Sequence, residues 1–300
     1  MTDGQLRPRE LTPTEATAVH DLLAAAAAAD GVEPVSEAGV LALDSGGGQL
    51  LADHDGVLAG YAHLDAGTAE LVVHPEHRRR GVGSRLLDAL ERAAGGALQV
   101  WAHGRIPAAA ALADKRGYEQ TRALLRLRRD GPDHLPDAPP PAGVTIRAFR
   151  PGADDTEWLA VNARAFADHP EQGRFTQADL DARLRADWFD AAGFLLAVRS
   201  GRIIGSHWTK VHTEPERVGE IYVLGVDPTA QAGGLGTALA VAGLRYLRDR
   251  GLPAVILDVG DPNPAALRLY DGWGFWCDLL GAPSRRPAGA GGATSGRPGA

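Results

Sequence analysis

The stretch Glu220–Arg250, EIYVLGVDPTAQAGGLGTALAVAGLRYLRDR, decides how the chain is read. It joins an apolar strand, Ile221 to Val226, through a proline turn and a glycine-rich loop, Gln231 to Gly236, to a helix. The helix follows from Leu239, Ala242, Gly243, Tyr246 and Leu247, small or apolar residues that recur on one face at the helical period. Its start therefore faces the loop. First-turn N–H groups have no partner inside a helix and carry the positive end of its dipole, so an anion is favoured there. Gly234 and Gly236 remove side chains that would hold a pyrophosphate away from those donors.

Two familiar anion loops do not fit. A nucleotide-triphosphatase loop needs Lys and then Ser or Thr after its last glycine, and here Thr237-Ala238 follow Gly236. A dinucleotide fold puts its glycines directly after the strand, whereas Asp227-Pro228-Thr229-Ala230 intervenes here. The word Q-x-x-G-x-G after a strand ending in V-D-P resembles instead the acetyl-CoA loop of the GNAT N-acetyltransferases.

Working outward, 300 residues suffice for two domains with sizeable cores. The formal charge is −7 and no basic patch is interleaved with aromatics, so nucleic acid is not an expected partner. The segment MTDGQLRPRE lacks an apolar signal core, and the Ala24–Ala29 run is too short to span a bilayer. A cytoplasmic monomer without a membrane partner is the expectation. Cys277 is the one cysteine, which excludes an intrachain disulfide. His74 and His77 are the only closely spaced histidine pair, but they sit in a turn before a basic loop, and no metal is expected.

The opening element occurs twice. Ala69 to Val73 reads as a strand, followed by His74-Pro75, the loop Arg78 to Gly83, and a helix through Leu86, Leu87 and Leu90. An offset of 153 (234 − 81) superposes Gly81 on Gly234, Gly83 on Gly236, Pro75 on Pro228 and Arg78 on Gln231. Two copies of one fold are the economical account. In the first, Thr14 to Ala29 reads as a helix, and Leu50–Asp53 and Val57–Leu64 around Asp55-Gly56 as a hairpin. In the second, helices are expected at Asp155–Phe166, Thr176–Asp187 and Asn263–Trp273, a hairpin over Phe194–Val211, and a buried strand at Ala254–Val259. The Pro-rich Arg129–Gly143 between the copies reads as a semi-rigid linker. The expected architecture is α/β (α+β), with each domain a mixed, mostly antiparallel sheet flanked by helices. The boundaries are 1–128, linker 129–143, 144–280, and a disordered tail 281–300 whose Gly, Ala and Pro content lacks apolar alternation.

Acetyl transfer needs more than a loop for CoA: the amine must be neutral, the thioester polarised, and the leaving thiolate given a proton. Glu220 begins the loop-side strand, and strand alternation puts Glu220, Tyr222 and Leu224 on one face. A bulge at Leu224-Gly225 would aim free N–H groups at the thioester carbonyl. Tyr270, in the helix after the next strand, is a phenol able to protonate the thiolate. The first copy has Gly67 at the place of Glu220 and, allowing for a four-residue slip, Ala113 at that of Tyr270. It is expected to bind CoA without catalysing.

With these residues in hand, the chain resembles the mycothiol synthase family, tandem GNAT enzymes. The words that carry the resemblance are N-A-R-A-F-A-D-H-P-E-Q-G (Asn162–Gly173), H-W-T-K-V-H (His207–His212) and G-E-I-Y-V-L-G-V-D-P (Gly219–Pro228). The resemblance implies acetylation of the cysteinyl amine of a cysteine-glucosamine-inositol precursor, with acetyl-CoA as co-substrate. It implies substrate contacts at Glu37, Glu171, Lys210 and Glu220, with Glu220 as general base through water and Tyr270 as general acid. Acetyl-CoA would lie on Leu224, Gly225 and Val226 and on the loop Gln231, Ala232, Gly233, Gly234, Leu235, Gly236 and Thr237. It would continue along Asn263, Pro264, Ala265, Ala266, Leu267 and Arg268. In the first copy Leu71, Val72 and Val73, with Arg79, Arg80, Gly81, Val82, Gly83 and Ser84, match a second CoA site kept without chemistry. Carboxylates at Glu37 and Glu171 suit a polyol or an ammonium group.

Two departures stand out. Asp258 occupies the place of the family's substrate-binding Tyr, and the family's last strand gives way after Trp276-Cys277-Asp278-Leu279-Leu280 to the Gly- and Pro-rich tail. A missing last strand would leave the second domain's sheet with an unpaired edge. The rivals to the main reading are an acetyltransferase for another small amine, such as an aminoglycoside, and a CoA-binding protein without turnover.

Overall fold

The computed structural model describes residues 6–44, 47–104, 106–131, 135–167, 169, 172–213, 216–231, 233–261 and 270–285, with the backbone alone described at 44, 261 and 277–285. In chain order the elements are α1 (Pro13–Asp30), α2 (Glu37–Leu41), β1 (Gln49–His54), β2 (Val57–Asp65), β3 (Thr68–Val73), α3 (Val82–Ala94), β4 (Gln99–Ala102), α4 (Pro107–Lys115), β5 (Glu119–Gln120) and β6 (Ala123–Asp130). There follow β7 (Val144–Ala148), α5 (Asp155–Ala165), α6 (Gln177–Leu184), β8 (Phe194–Arg199), β9 (Arg202–His212), β10 (Val218–Val226), α7 (Leu235–Asp249), β11 (Ala254–Asp261) and β12 (Trp276–Arg285). They form two compact units, Met1–Leu124 with Leu279–Ala300, and Leu125–Asp278.

In the first unit the strands run in the order β1-β2-β3-β4-β12, with β5 on β12. The β3–β4 pair is parallel, and β1–β2, β2–β3 and β12–β4 are antiparallel. The alternation read from the sequence buries one sheet face under α3, where Leu86, Leu87 and Leu90 meet Leu50, Ala59, Ala62 and Leu98. The other face packs under α1, where Val19, Leu22, Leu23 and Ala26 meet Tyr61 and Val72. α1 opens with a capping box between Thr12 and Glu15.

In the second unit the order is β6-β11-β10-β9-β8-β7. The β10–β11 pair is parallel; β10–β9, β9–β8 and β8–β7 are antiparallel. Leu244 and Leu247 of α7 cover Ile221, Val255 and Leu257 on one face. On the other, Trp158 of α5 joins Phe149, Phe194 and Trp208. The rings of Phe194 and Trp208 stack with centroids 4.2 Å apart, and Trp158 meets both edge-on. Mixed, mostly antiparallel sheets flanked by helices agree with the expected fold class.

The expected domain boundaries need correction. The tail was expected to be disordered from residue 281, yet β12 continues to Arg285 and pairs Ala282↔Ala102 through Arg285↔Gln99. Composition misled because a strand added to a sheet is held by backbone N–H and C=O groups, which need no apolar side chain. Residues 286–300 lie outside the described residues. The last strand is thus present, but it belongs with the first unit. β6, expected to close the first domain, lies from Leu125 onward in the second, beside β11, and runs into the expected linker as far as Asp130.

Candidate active site

The antiparallel ladder between β10 and β9 runs from Val218↔His212 to Val226↔Gly205, whereas among the described residues β10 pairs with β11 only at Gly219↔Val255 and Glu220↔Ile256. Beyond Glu220 the two parallel strands part. The edge of β10 from Ile221 to Val226 then offers backbone groups to an extended, amide-bearing chain that adds as a strand.

The bulge on β10 falls between Ile221 and Val223, not at Leu224-Gly225 as expected from the glycine. It reverses the alternation. Tyr222 and Val223 both pack with the Trp208 cluster, and Ile221 and Leu224 both pack under α7. Glu220 and Tyr222 therefore share a face and Leu224 does not. Gly225 has a different reason to be glycine: a Cβ there would stand 2.7 Å from Cε2 of Phe166.

The loop that follows is tied at its base by Asp227, whose carboxylate accepts from Thr229 N and Oγ1 at 3.0 and 2.7 Å and from Arg164 Nε at 2.8 Å. The Thr229 bonds, assisted by Arg164, hold Asp227 below the usual carboxylate range against the opposing effect of burial. Gly233 and Gly234 adopt φ of 75° and 79°, left-handed values that favour glycine. Gly234 is the N-cap of α7 and gives no side-chain cap, in contrast to the capping boxes of α1 and α6. The N–H groups of Leu235, Gly236 and Thr237 thus meet no capping side chain, and a Cβ on Gly236 would find only Val226 Cγ2 at 3.8 Å. Such a helix start can cradle a phosphate group. Gln231 turns its amide back to the carbonyl of Val226 at 3.5 Å, and Ala232 lies outside the described residues.

Glu220 stands at the fork, its side chain 14% exposed, with Oε2 2.7 Å from Nε2 of His212. His212 is the residue that sequence reasoning passed over, although it closes the word H-W-T-K-V-H. The signal was the hairpin register, which puts Val218 opposite His212 and Glu220 opposite Lys210, so the imidazole is the diagonal neighbour of the carboxylate. Lys210 Nζ lies over the rings of Trp188 and Tyr222, at 4.7 and 5.5 Å. The Tyr222 hydroxyl accepts from Nε of the buried Arg183 at 2.5 Å. Asp258 on β11 is held by both Nε and Nη2 of Arg126, at 2.9 and 2.8 Å. Glu37 opens α2 in the first unit, just after the N-cap Ser36. Glu171 and the run Asn263, Pro264, Ala265, Ala266, Leu267 and Arg268 lie outside the described residues.

Tyr270 is not brought to Glu220 by any contact among the described residues. Its ring is buried under α7 with Ile221 and Leu224, edge-on to Trp273 and Phe275, and these strand residues leave β10 on the face opposite to Glu220. Burial pushes the phenol up to about 12. It therefore stays protonated at neutral pH and holds its proton more tightly than a solvated tyrosine.

The first unit repeats the fork. β3 and β4 pair at Thr68↔Gln99, Ala69↔Val100 and Glu70↔Trp101, then part around a cavity of about 520 Å³. Leu71, Val72, Val73, Arg79, Gly81, Val82, Gly83 and Ser84 line it, together with Trp101, Ala113 and Tyr118; Arg80 does not. Gly81, at φ 81°, is the uncapped N-cap of α3, the counterpart of Gly234. One expectation changes here. Gly67, aligned with Glu220 by offset, lies in the β2–β3 turn at φ 82°, and the carboxylate at this fork is Glu70.

The acetyltransferase (GNAT) family profile matches residues 159–275, and an acetyltransferase (GNAT) domain profile matches 45–120. A mycothiol acetyltransferase of Thermomonospora curvata is 54% identical over 273 residues, spanning 88% of this chain and 91% of that one. That of Streptomyces coelicolor is 51% identical over 280 residues, 89% and 90% of the two chains. Among solved structures, a tandem GNAT protein from the clavulanic acid biosynthesis pathway shares the fold, with TM-score 0.72, 19% identity, and coverage of 96% and 99%. A GCN5-related N-acetyltransferase from Sphaerobacter thermophilus superposes with TM-score 0.64 at 26% identity, covering 95% of this chain and 96% of that one. Two forks, each with a glycine-led helix start beside it, and relatives matched at half their residues or more along nearly the whole chain leave one assignment: the chain belongs to the mycothiol acetyltransferase family of tandem GNAT N-acetyltransferases.

Proposed function

We propose that the chain transfers the acetyl group of acetyl-CoA to the cysteinyl amine of the cysteine-glucosamine-inositol precursor, the last step of mycothiol biosynthesis, with the chemistry in the second unit. The observation that carries this is Glu220 at the point where β10 and β11 part, beside the open strand edge and leading to the uncapped start of α7. Only Oε2 of its carboxylate is engaged among the described residues, so Oε1 is left to take a proton from the acceptor ammonium, directly or through one water. Acetyl-CoA supplies the activated acyl group and lies along Leu224, Gly225 and Val226, with its pyrophosphate on the N–H groups at Gly234 to Thr237. Tyr270, held at about 12, acts by hydrogen bonding to the leaving sulfur more than by full proton transfer. Lys210 and Asp258 line the acceptor side, and the roles of Glu37, Glu171 and Asn263 to Arg268 rest on the family resemblance.

The first unit, by the same reading, holds CoA in its cavity without turnover. The protein works as a cytoplasmic monomer without a metal; no helix among the described residues is long and apolar enough to cross a membrane. The test is thiol release from acetyl-CoA by the purified chain against a panel of amines that includes the cysteinyl precursor and an aminoglycoside. The alternative, a CoA binder without turnover, is decided by the same assay. Selective turnover of the cysteinyl precursor is expected. Preference for another amine, or none for any, would overturn the assignment.

A further inference from the structure

Acetylating an ammonium acceptor releases one proton per turnover. Nitrogen loses two protons as the N–C bond forms; the C–S bond breaks, the sulfur takes one proton, and the other must leave the site. The carboxylate at the fork, proposed above as the base, is mostly buried, and its Oε2 touches Nε2 of His212 at 2.7 Å. His212 ends β9 with its side chain 29% exposed, so the imidazole stands between Glu220 and solvent.

The other charged groups around the pair have partners of their own. From β9, Lys210 faces Glu220 across the ladder, but its ammonium lies over Trp188 and Tyr222. On β11, Asp258 is gripped by Arg126 of β6. Arg128 of β6 forms a two-point pair with Glu216 in the β9–β10 connection, at 2.8 Å for each bond. The imidazole is thus the titratable group in hydrogen-bond contact with Glu220 among the described residues.

We propose that His212 is a positioning residue for Glu220: its Nε2–H donates to Oε2, leaving Oε1 aimed at the acceptor amine. The proposal rests on the reading of Glu220 as base. A carboxylate at a strand fork has two side-chain torsions beyond Cβ, and a fixed donor on one oxygen selects the rotamer that presents the other.

The experiment measures kcat and both KM values against pH for the purified full-length chain and for His212→Phe, His212→Gln, Glu220→Gln and the double variant Glu220→Gln/His212→Phe. His212→Phe should lower kcat roughly 10- to 100-fold and leave the KM for acetyl-CoA unchanged, as misorientation of a catalytic group does. His212→Gln offers an amide N–H near the place of Nε2–H; it should restore most of the rate that His212→Phe loses. The double variant should be within about threefold of Glu220→Gln alone, because His212 acts only through that carboxylate. Losses that multiply in the double variant would overturn the proposal. So would a wild-type rate in His212→Phe, or a His212→Gln enzyme no faster than His212→Phe. Should His212→Phe fail to fold, His212→Asn, whose shorter amide falls short of Oε2, takes its place: it should be slow where His212→Gln is fast, and equal rates would overturn the proposal. A Glu220→Gln enzyme at wild-type rate sinks the base assignment, a result read without touching His212.

Discussion

The two forks of the molecule carry the same pair of residues in different states. In the first unit Glu70 Oε1 accepts from Ser36 N at 2.9 Å and contacts His103 Nε2 at 2.7 Å, while Oε2 accepts from Ser36 Oγ at 3.0 Å. In the second unit Glu220 meets His212 at 2.7 Å through one oxygen only. Burial pushes the Glu70 carboxyl up, but the bond and charge of His103 and the two Ser36 bonds outweigh it and hold the group below its ordinary value. A Glu–His contact is therefore no signature of catalysis by itself. At Glu70 both oxygens are spent fastening the start of α2 to β3 and to the residue after β4. At Glu220 the other oxygen has no hydrogen-bond partner among the described residues.

The comparison breaks most visibly at the two carboxylates. Glu220→Gln should lower kcat roughly 100-fold or more, with the residual rate rising toward high pH where the amine deprotonates unaided. Glu70→Gln should leave kcat within about threefold and instead cost about 2 kcal/mol of stability, the scale for losing hydrogen bonds to a charged group. Thiol release and urea unfolding read the two effects, and equal kinetic losses would erase the distinction. The glycine pair sharpens it. Gly234→Val and Gly81→Val face the same left-handed backbone, φ 79° and 81°, and each loses about 1–2 kcal/mol of stability. Only the former should abolish turnover, since its side chain blocks the phosphate cradle beside the open carboxylate.

Ending the chain after Leu280 strips the first unit of the pairs Ala282↔Ala102 to Arg285↔Gln99. Its melting transition should fall by about 5 °C or more, as loss of an edge ladder in a domain this size implies. An unchanged melting curve would return those residues to a dispensable tail.

Acid should loosen the second unit first. His207 is fully buried beneath α7, its Nδ1–H bonded to the Leu239 carbonyl at 2.8 Å, with Nε2 unpartnered among the described residues. A Cβ on Gly243 would overlap its ring. Burial pulls this imidazole down to about 4, against the bond to Leu239. The folded state thus resists a proton that the unfolded chain binds readily, so stability is complete above the unfolded histidine's range and falls with pH down to about 4, by about 3 kcal/mol in all. Glu70 acts in the same direction at lower pH: its lowered value contributes stability that is present above the ordinary carboxylate range and is lost as pH falls through its folded value. Urea midpoints measured from neutral pH downward should show the slope in the wild type and lose it in His207→Gln.

The smallest effect is expected at Tyr270. With its phenol held at about 12 and a thiol leaving far more readily than an alkoxide, Tyr270→Phe should slow kcat by less than about tenfold and spare the KM for acetyl-CoA. A loss as large as that of Glu220→Gln would make Tyr270 an obligatory acid.

What the sequence determined by itself was local. The strand, loop and helix around Gly81 and Gly234 were legible in both copies, because helical and strand periods and the demand for glycine at a left-handed helix start are written in neighbouring residues. Glu220 on a strand ahead of such a loop was legible for the same reason. Tertiary structure decided the rest. Which unit β12 joins depends on backbone pairing across most of the chain's length, which no composition records. A one-residue bulge beside Tyr222 set the faces of Leu224 and Gly225, and a period-two argument has no means of placing it. The difference between Glu70 and Glu220 is of this kind too: identical side chains, each against a histidine, made unlike by whether Ser36 meets the second oxygen.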